Sequence, residues 1–167
     1  MARLRERARV VRLAIFDVDG VLTDGSLWFG PEGEALKRFN ILDGHGVKML
    51  QAAGVATAIL SGRTSKAVSR RAEELGIAHV IQGAADKLAE FARLRAKLGL
   101  EEAACAFVGD DLPDLPVMER CGFAVAVANA AEPVKAKAHY VTLAHGGQGA
   151  VREFCDLVLA AKKDEKP

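Results

Sequence analysis

The chain has 167 residues, which is enough for one domain with a hydrophobic core. Half of the residues are apolar, 27% are charged and the net charge is +1, which is ordinary for a globular protein. This balance gives no electrostatic case for nucleic acid or an anionic membrane as a partner, and no apolar run is long enough to span a bilayer. We therefore expect a single domain over 1–167.

The stretch 1–9 is basic and lacks the apolar centre of a signal peptide, so we expect a solvated and partly frayed terminus. Cys105, Cys121 and Cys155 are far apart, odd in number and in apolar or helical contexts. They are expected to be reduced core thiols in a cytoplasmic protein.

The run 10–16 is β-branched and apolar, and it predicts a buried strand. Asp17, Asp19 and Gly20 follow directly, and side chains at i and i+2 of an extended segment point to the same side. Two close carboxylates repel each other unless a cation joins them, and oxygen ligands suit Mg²⁺. With the metal bound, one Asp can act as nucleophile and the other as acid/base. The alternative is an ordinary capped turn.

Two short strand-like runs joined by Gly-Pro-Glu-Gly predict a β-hairpin over 26–39. Alternation places apolar side chains on both of its faces, which is typical of an interface. The alternative is a hairpin folded back onto its own domain. The apolar residues are Leu27, Trp28, Phe29, Leu36 and Phe39.

Strand and helix patterns alternate through the rest of the chain. We predict strands over 55–60, 78–81, 104–108, 123–127 and 140–142. Helices are predicted over 43–53, from Thr64 or Ser65 to 75, then over 86–98, 115–121, 132–138 and 150–162. This order predicts an α/β fold, a Rossmann-like open and mainly parallel sheet with helices on both faces. No stretch is long enough for a cap domain, so about 10–159 forms the core.

Polar residues follow three of the predicted strands, and Lys87 opens the helix after another. Because parallel strands end at one edge of a sheet, all four places should lie together. A carboxylate can attack phosphorus, and a hydroxyl, backbone N–H groups and an ammonium can hold phosphate oxygens. The residues after the strands are Asp17 and Asp19, then Ser61, Gly62 and Arg63, then Asp110 and Asp111.

The order Asp-x-Asp-Gly, Ser-Gly-Arg, Lys, Gly-Asp-Asp resembles the haloacid dehalogenase-like hydrolases. Four longer motifs resemble the 3-deoxy-D-manno-octulosonate 8-phosphate phosphatase family within it. They are the stretches 17–25, 43–46, 109–118 and 146–153. The resemblance covers nearly the whole chain.

The resemblance implies a Mg²⁺-dependent phosphatase, a homotetramer without a cap domain that serves lipopolysaccharide sugar biosynthesis. Asp17 would be the nucleophile and a metal ligand. Asp19 would be the acid/base and would lend its backbone carbonyl to Mg²⁺. Asp110 would be a direct ligand, supported by Asp111 and Asp114. Ser61, with Gly62, and Lys87 would hold the phosphoryl group. Independently of the resemblance, Arg63 directly follows the Ser-Gly turn and is the candidate for binding the substrate carboxylate through two hydrogen bonds; the alternative is a surface salt bridge.

Gln148 departs from the family pattern, where Arg is expected, and its place between glycines suggests a mobile loop that reaches the substrate. The substrate could therefore be a nine-carbon sugar acid 9-phosphate. A different class, a non-catalytic relative that binds a phosphorylated ligand or a partner enzyme, is disfavoured because no nucleophile or metal ligand has been lost. A receiver-like signalling domain fits the Ser-Gly-Arg turn poorly.

Overall fold

The computed structural model describes residues 2–163. Its strands are β1 (Leu13–Phe16), β2 (Trp28–Gly30), β3 (Gly33–Leu36), β4 (Ala56–Leu60), β5 (His79–Ile81), β6 (Cys105–Gly109), β7 (Phe123–Ala126) and β8 (Tyr140–Val141). Its helices are α1 (Ala2–Arg9), α2 (Ile41–Ala52), α3 (Lys66–Leu75), α4 (Lys87–Lys97), α5 (Leu115–Met118), α6 (Glu132–Lys137) and α7 (Ala150–Lys163). Short 3₁₀ turns cover Glu102–Ala104 and Leu112–Asp114.

Six parallel strands form the main sheet in the order β5-β4-β1-β6-β7-β8. β1 lies at the centre, with Phe16 opposite Ile59 of β4 and Val108 of β6. The chain moves outward from β1 in one direction through β4 and β5, and then returns to the other side. This reversal makes the carboxyl end of β1 a topological switch point, the usual ligand site of such sheets.

Helices cover both faces, as right-handed parallel crossovers require. α7 packs against α1 and α2, and α5 packs against α4 and α6. β1, β6 and β7 are buried along their whole length, as expected of parallel strands between two helical layers. The prediction of a doubly covered, mainly parallel α/β sheet is confirmed.

The hairpin is also confirmed: β2 and β3 pair antiparallel as a separate two-stranded sheet. Among residues 2–163 no cap domain accompanies it. The three cysteines are buried and free, as predicted. In the same part of the chain, no helix combines the length and apolarity needed to cross a bilayer.

The prediction of a frayed N-terminus is wrong for residues 2–9, which form α1 against α7. Ala8 is fully buried, and the Arg7 guanidinium donates to the Gly122 carbonyl. Lys162 in α7 donates to the Arg9 carbonyl at 2.9 Å. Because the segment is rich in arginine, its sequence gives little sign of the few apolar contacts that hold this helix in place. Met1 lies outside the described residues.

Asp43 begins the 43–46 motif, to which no role was assigned, and its side chain binds the start of α7. Its side chain is buried, and it accepts the backbone N–H of Arg152 at 2.8 Å and that of Gly149 at 3.4 Å. These donors belong to the start of α7, where helix N–H groups lack partners within the helix. Asp43 therefore ties α2 to the N-terminus of the closing helix.

Asp43→Ala should lower the free energy of unfolding by about 1–3 kcal/mol, because the backbone N–H groups at the start of α7 lose their acceptor. The substitution leaves the acids of the sheet edge in place. Urea unfolding of both proteins measures the difference. Asp156→Ala, which removes an exposed acid from α7, is the control. Equal unfolding midpoints for wild type and Asp43→Ala would contradict this role.

Candidate active site

All the predicted site residues line one pocket at the carboxyl edge of the sheet. The lining comprises Asp17, Asp19, Gly25, Ser61, Gly62, Arg63, Lys87, Asp110, Asp111, Pro113 and Asp114. The topology explains the convergence, because β4 and β6 flank β1 and each of these strands ends just before its polar residues. Lys87 is brought in from the first turn of α4, whose N-cap Asp86 accepts the Ala89 N–H.

Gly20 allows the first acidic loop to lie against the third. Its φ is +86°, and a Cβ at this position would lie 2.0 Å from Oδ2 of Asp110. A larger residue would be strained in this conformation and would collide with the Asp110 carboxylate. Glycine therefore lets the Asp17 and Asp110 loops share one pocket.

Three carboxylates form the centre of the pocket. One oxygen each from Asp17, Asp110 and Asp114 can be chosen so that all lie within 4.8 Å of one another. Lys87 lies beside them, 2.9 Å from Asp17 and 2.7 Å from Asp114. Asp114 also accepts the Asp110 N–H at 2.9 Å, so it anchors both the lysine and the loop.

Burial is the main cause of the unusual acidities at this centre. It raises the pKa of Asp17 to about 6; the Asp114 charge adds to the shift and Lys87 opposes it. Burial also raises the pKa of Asp110 to about 8, with Asp17 and Asp114 contributing further. Lys87 is itself buried, which disfavours its charge, but the two aspartates outweigh this and raise its pKa.

These carboxylates fit a hard divalent cation. The cluster has only oxygen donors, which suit Mg²⁺, and a positive ion would relieve the repulsion that burial intensifies. Asp114, predicted to support the waters of the metal, lies in this cluster with Asp17 and Asp110, whereas the Asp19 side chain points to the hairpin. Metal binding through the Asp19 backbone carbonyl, and the supporting role of Asp111, stay predictions. The Asp111 carboxylate accepts the Leu112 N–H at the start of the 3₁₀ turn.

The Asp19 carboxylate faces the hairpin. Lys37 pairs with its Oδ1, and Arg63 Nε lies 3.5 Å from its Oδ2. Glu34 then joins the two cations, at 3.1 Å from Lys37 and 3.0 Å from Arg63. Ser65, one of the two predicted starts of α3, donates its hydroxyl to Glu34 and makes no side-chain hydrogen bond to the helix N-terminus.

The sequence analysis did not predict that Glu34 and Lys37 lie beside the site. Opposite charges three residues apart in a hairpin strand are usually solvated, so they carry a weak signal. The fold brings them over the Asp19 loop, where the Lys37 side chain is 1% exposed. The hydrogen bonds of Ser65, Lys37 and Arg63 hold the pKa of Glu34 at about 2, against the effect of burial.

The 146–149 segment packs against its own domain, although Gln148 itself is exposed. Its mobility and its reach to the substrate stay predictions. Gly146 and Gly147 are buried, and the Gly147 N–H donates to the Val21 carbonyl at 2.9 Å. A Cβ on Gly146 would lie 1.7 Å from the Gly20 carbonyl oxygen. The glycines therefore allow close packing against the Asp19 loop. Gln148 is not among the residues that line the pocket.

Comparison with known proteins agrees with this architecture. Residues 74–154 match the haloacid dehalogenase-like hydrolase family model. The 3-deoxy-D-manno-octulosonate 8-phosphate phosphatase of Yersinia pestis is 48% identical over 157 residues, 94% of this chain and 84% of that protein.

Two solved structures are similar over almost the whole chain. A probable YrbI family phosphatase from Pseudomonas syringae has a TM-score of 0.96 and 53% identity, covering 99% of this chain and 94% of that one. The 3-deoxy-D-manno-octulosonate 8-phosphate phosphatase of Moraxella catarrhalis, in complex with a magnesium ion, a phosphate ion and KDO, has a TM-score of 0.95 and 44% identity, covering 98% and 94%. The chain is thus a phosphomonoesterase and belongs to the 3-deoxy-D-manno-octulosonate 8-phosphate phosphatase family of haloacid dehalogenase-like hydrolases.

Proposed function

We propose that this chain hydrolyses 3-deoxy-D-manno-octulosonate 8-phosphate with Mg²⁺, through an aspartyl phosphate on Asp17, in the synthesis of the lipopolysaccharide sugar acid. The observation that carries the proposal is the Asp17 carboxylate at the exit of β1, in contact with Lys87 and clustered with Asp110 and Asp114. Relatives with almost the same fold and 44–48% identity carry that activity in their names.

The first half of the reaction forms an acyl phosphate on Asp17. A carboxylate oxygen of Asp17 attacks phosphorus, and the bond from phosphorus to the sugar oxygen breaks. Asp19 gives its proton to the departing oxygen. Ser61, the backbone N–H groups after β4 and Lys87 hold the phosphoryl oxygens while negative charge develops.

The second half restores the enzyme. Water attacks phosphorus, Asp19 takes the proton from that water, and the bond from phosphorus to Asp17 breaks to release phosphate. Asp17, Asp110 and the Asp19 carbonyl are the proposed Mg²⁺ ligands, with Asp111 and Asp114 supporting its waters. Bound Mg²⁺ would supply charge neutralisation between the phosphoryl group and the carboxylates.

A substrate panel tests the proposal. Phosphate release is measured with Mg²⁺ on 3-deoxy-D-manno-octulosonate 8-phosphate, a nine-carbon sugar acid 9-phosphate, and neutral hexose phosphates. The proposal expects the highest kcat/KM for the eight-carbon acid. A higher value for the nine-carbon acid would reassign the substrate within the same reaction class, and a preference for neutral sugars would overturn the sugar-acid assignment.

Arg63 is the proposed contact for the substrate carboxylate. Its side chain is 47% exposed at the pocket wall, and its guanidinium lies 3.0 Å from the Glu34 carboxylate, which the substrate carboxylate would join or replace. Arg63→Ala should raise KM for the sugar-acid phosphate by about 10-fold or more, because a charge-assisted pair contributes about 1.5–3 kcal/mol, and should raise KM for a neutral sugar phosphate much less.

The matched control is Arg120→Ala, which removes another exposed arginine paired with a glutamate, in this case Glu102 outside the pocket. Steady-state kinetics on both substrates give the comparison. Equal changes in KM for the acidic and neutral substrates would show that Arg63 only holds Glu34 and Asp19.

We further infer a homo-oligomer, a tetramer, built through the hairpin. Leu27, Trp28, Phe29 and Leu36 remain 44–67% exposed in the single chain, a concentration of apolar surface typical of an interface. Phe39 instead packs on its own domain, with the Arg71 guanidinium over its ring. Hairpins from several subunits would pair around a symmetry axis, so that one subunit helps to close its neighbour's pocket.

The double variant Trp28→Asp with Phe29→Asp should dissociate the oligomer and lower turnover together, since two charges would be buried in an apolar contact. Sedimentation velocity measures assembly, and phosphate release measures turnover. Leu143→Asp, at a position 88% exposed outside the hairpin, is the control. A wild-type monomer with full activity would end this proposal.

A further inference from the structure

The hairpin contacts Asp19 in the pocket through the buried ammonium of Lys37. Lys37 follows β3, and its side chain is 1% exposed although the hairpin around it is largely open to solvent. A lysine is rarely buried unless its charge is paired, because removing an ammonium from water is costly. The partners of Lys37 are Asp19 Oδ1 and Glu34 Oε2, the latter at 3.1 Å.

The two acids of the Asp-x-Asp loop are held by different cations. Lys87 from α4 holds Asp17, and Lys37 from the hairpin holds Asp19. Consequently the two carboxylates diverge: Asp17 faces Asp110 and Asp114, whereas Asp19 faces the hairpin. A nucleophile and an acid must stand on opposite sides of the phosphorus and its leaving oxygen, so this divergence matches the geometry that the two roles need.

Glu34 fixes Lys37 in turn. Its carboxylate contacts Lys37, Arg63 and the Ser65 hydroxyl, the last at 2.7 Å. Ser65 and Arg63 both belong to the segment after β4. These contacts hold the hairpin against the sheet edge at the place where Lys37 binds Asp19. They therefore restrict the movement of Lys37 away from Asp19.

We propose that Lys37 is a positioning residue for Asp19, and that it fixes the direction in which the Asp19 side chain faces the leaving oxygen of the substrate. This inference rests on the proposed function, in which Asp19 is the acid. Without the ammonium, the contact with Arg63 at 3.5 Å is the one ion pair left to the Asp19 carboxylate among residues 2–163, so the side chain can rotate about its bonds. Misplacement by about 1 Å is enough to cost roughly 100-fold in rate.

The test compares two leaving groups in the wild type and in Lys37→Met, which keeps the apolar stem and removes the ammonium. The alkyl ester is 3-deoxy-D-manno-octulosonate 8-phosphate, whose sugar alcohol is a poor alkoxide leaving group and needs the proton. A nitrophenyl phosphate leaves as a stable phenolate and does not. Because kcat/KM reports steps up to departure of the leaving group, Lys37→Met should lower it by about 10- to 100-fold for the alkyl ester and change it little for the aryl ester.

Two further variants complete the design. Lys37→Arg keeps a cation and should recover most of the alkyl-ester activity, and Lys135→Met is the control because Lys135 also pairs with a glutamate three residues away, but on exposed α6. Equal losses on both esters in Lys37→Met would overturn the proposal, since they would mean that Lys37 acts through folding or assembly. No loss on either ester would overturn it as well. A wild type that releases phosphate from neither ester would refute the proposed function instead.

Discussion

Asp17→Asn should lower turnover by about 10³-fold or more, because the amide keeps the shape of the side chain and cannot serve as the attacking carboxylate. Asparagine can still accept a hydrogen bond from Lys87, and Lys87 keeps its 2.7 Å contact with Asp114. Phosphate release on the best substrate measures the effect. Trapping the wild type with a phosphate-mimicking fluoride should place the mimic beside Asp17.

Asp17→Asn should still fold, so that a loss of turnover can be distinguished from a loss of structure. In the folded chain the pKa of Asp17 is raised from 3.8 to about 6, so the folded state favours the protonated form. Ionisation therefore costs stability progressively as the pH rises from about 3.8 through 6. In excess chelator at pH 7, Asp17→Asn should unfold at a temperature no lower than that of the wild type. Turnover near the wild-type level would sink the acyl-phosphate mechanism.

Asp110→Ala should behave like removal of the metal. Loss of groups that merely orient metal ligands costs about 10- to 100-fold, so loss of a direct ligand should cost more than about 100-fold in activity. In the wild type, chelation should abolish phosphate release, and Mg²⁺ should restore it better than Zn²⁺ because the donors are hard oxygens.

Titration calorimetry with Mg²⁺ gives a readout independent of activity, with weaker binding expected for Asp110→Ala than for wild type. Asp156→Ala, which removes an exposed acid from α7, is the matched control. Full activity of the wild type in excess chelator would refute the dependence on a metal.

The sheet and the gathering of its polar residues could be predicted because both follow from local patterns. β1, β4 and β6 are apolar runs that stop at a polar residue, and parallel topology alone brings Asp17, Ser61 and Asp110 to one edge. The helix starts were less exact, since Asn40 caps α2 three residues before the predicted start at Asp43.

The remaining contacts depend on which distant segments meet. Nothing near Lys37 in sequence indicates that its ammonium is buried against Asp19, because the hairpin's position over the sheet is set by Glu34, Arg63 and Ser65 together. Likewise, glycines at 146 and 147 suggest flexibility in isolation. Their actual role is close packing on a loop from the other end of the chain, which a local pattern cannot reveal.

That packing also determines when the pocket can form during synthesis. The loop after β1 is among the first parts of the chain to be made, whereas Gly146 and Gly147, which cover it, come shortly before the closing helix. Contacts between distant segments require the closure of long loops and so form late. A nascent chain therefore carries both proposed catalytic acids, Asp17 and Asp19, long before it holds them in place, and activity should emerge only once the C-terminal segment has left the ribosome and docked.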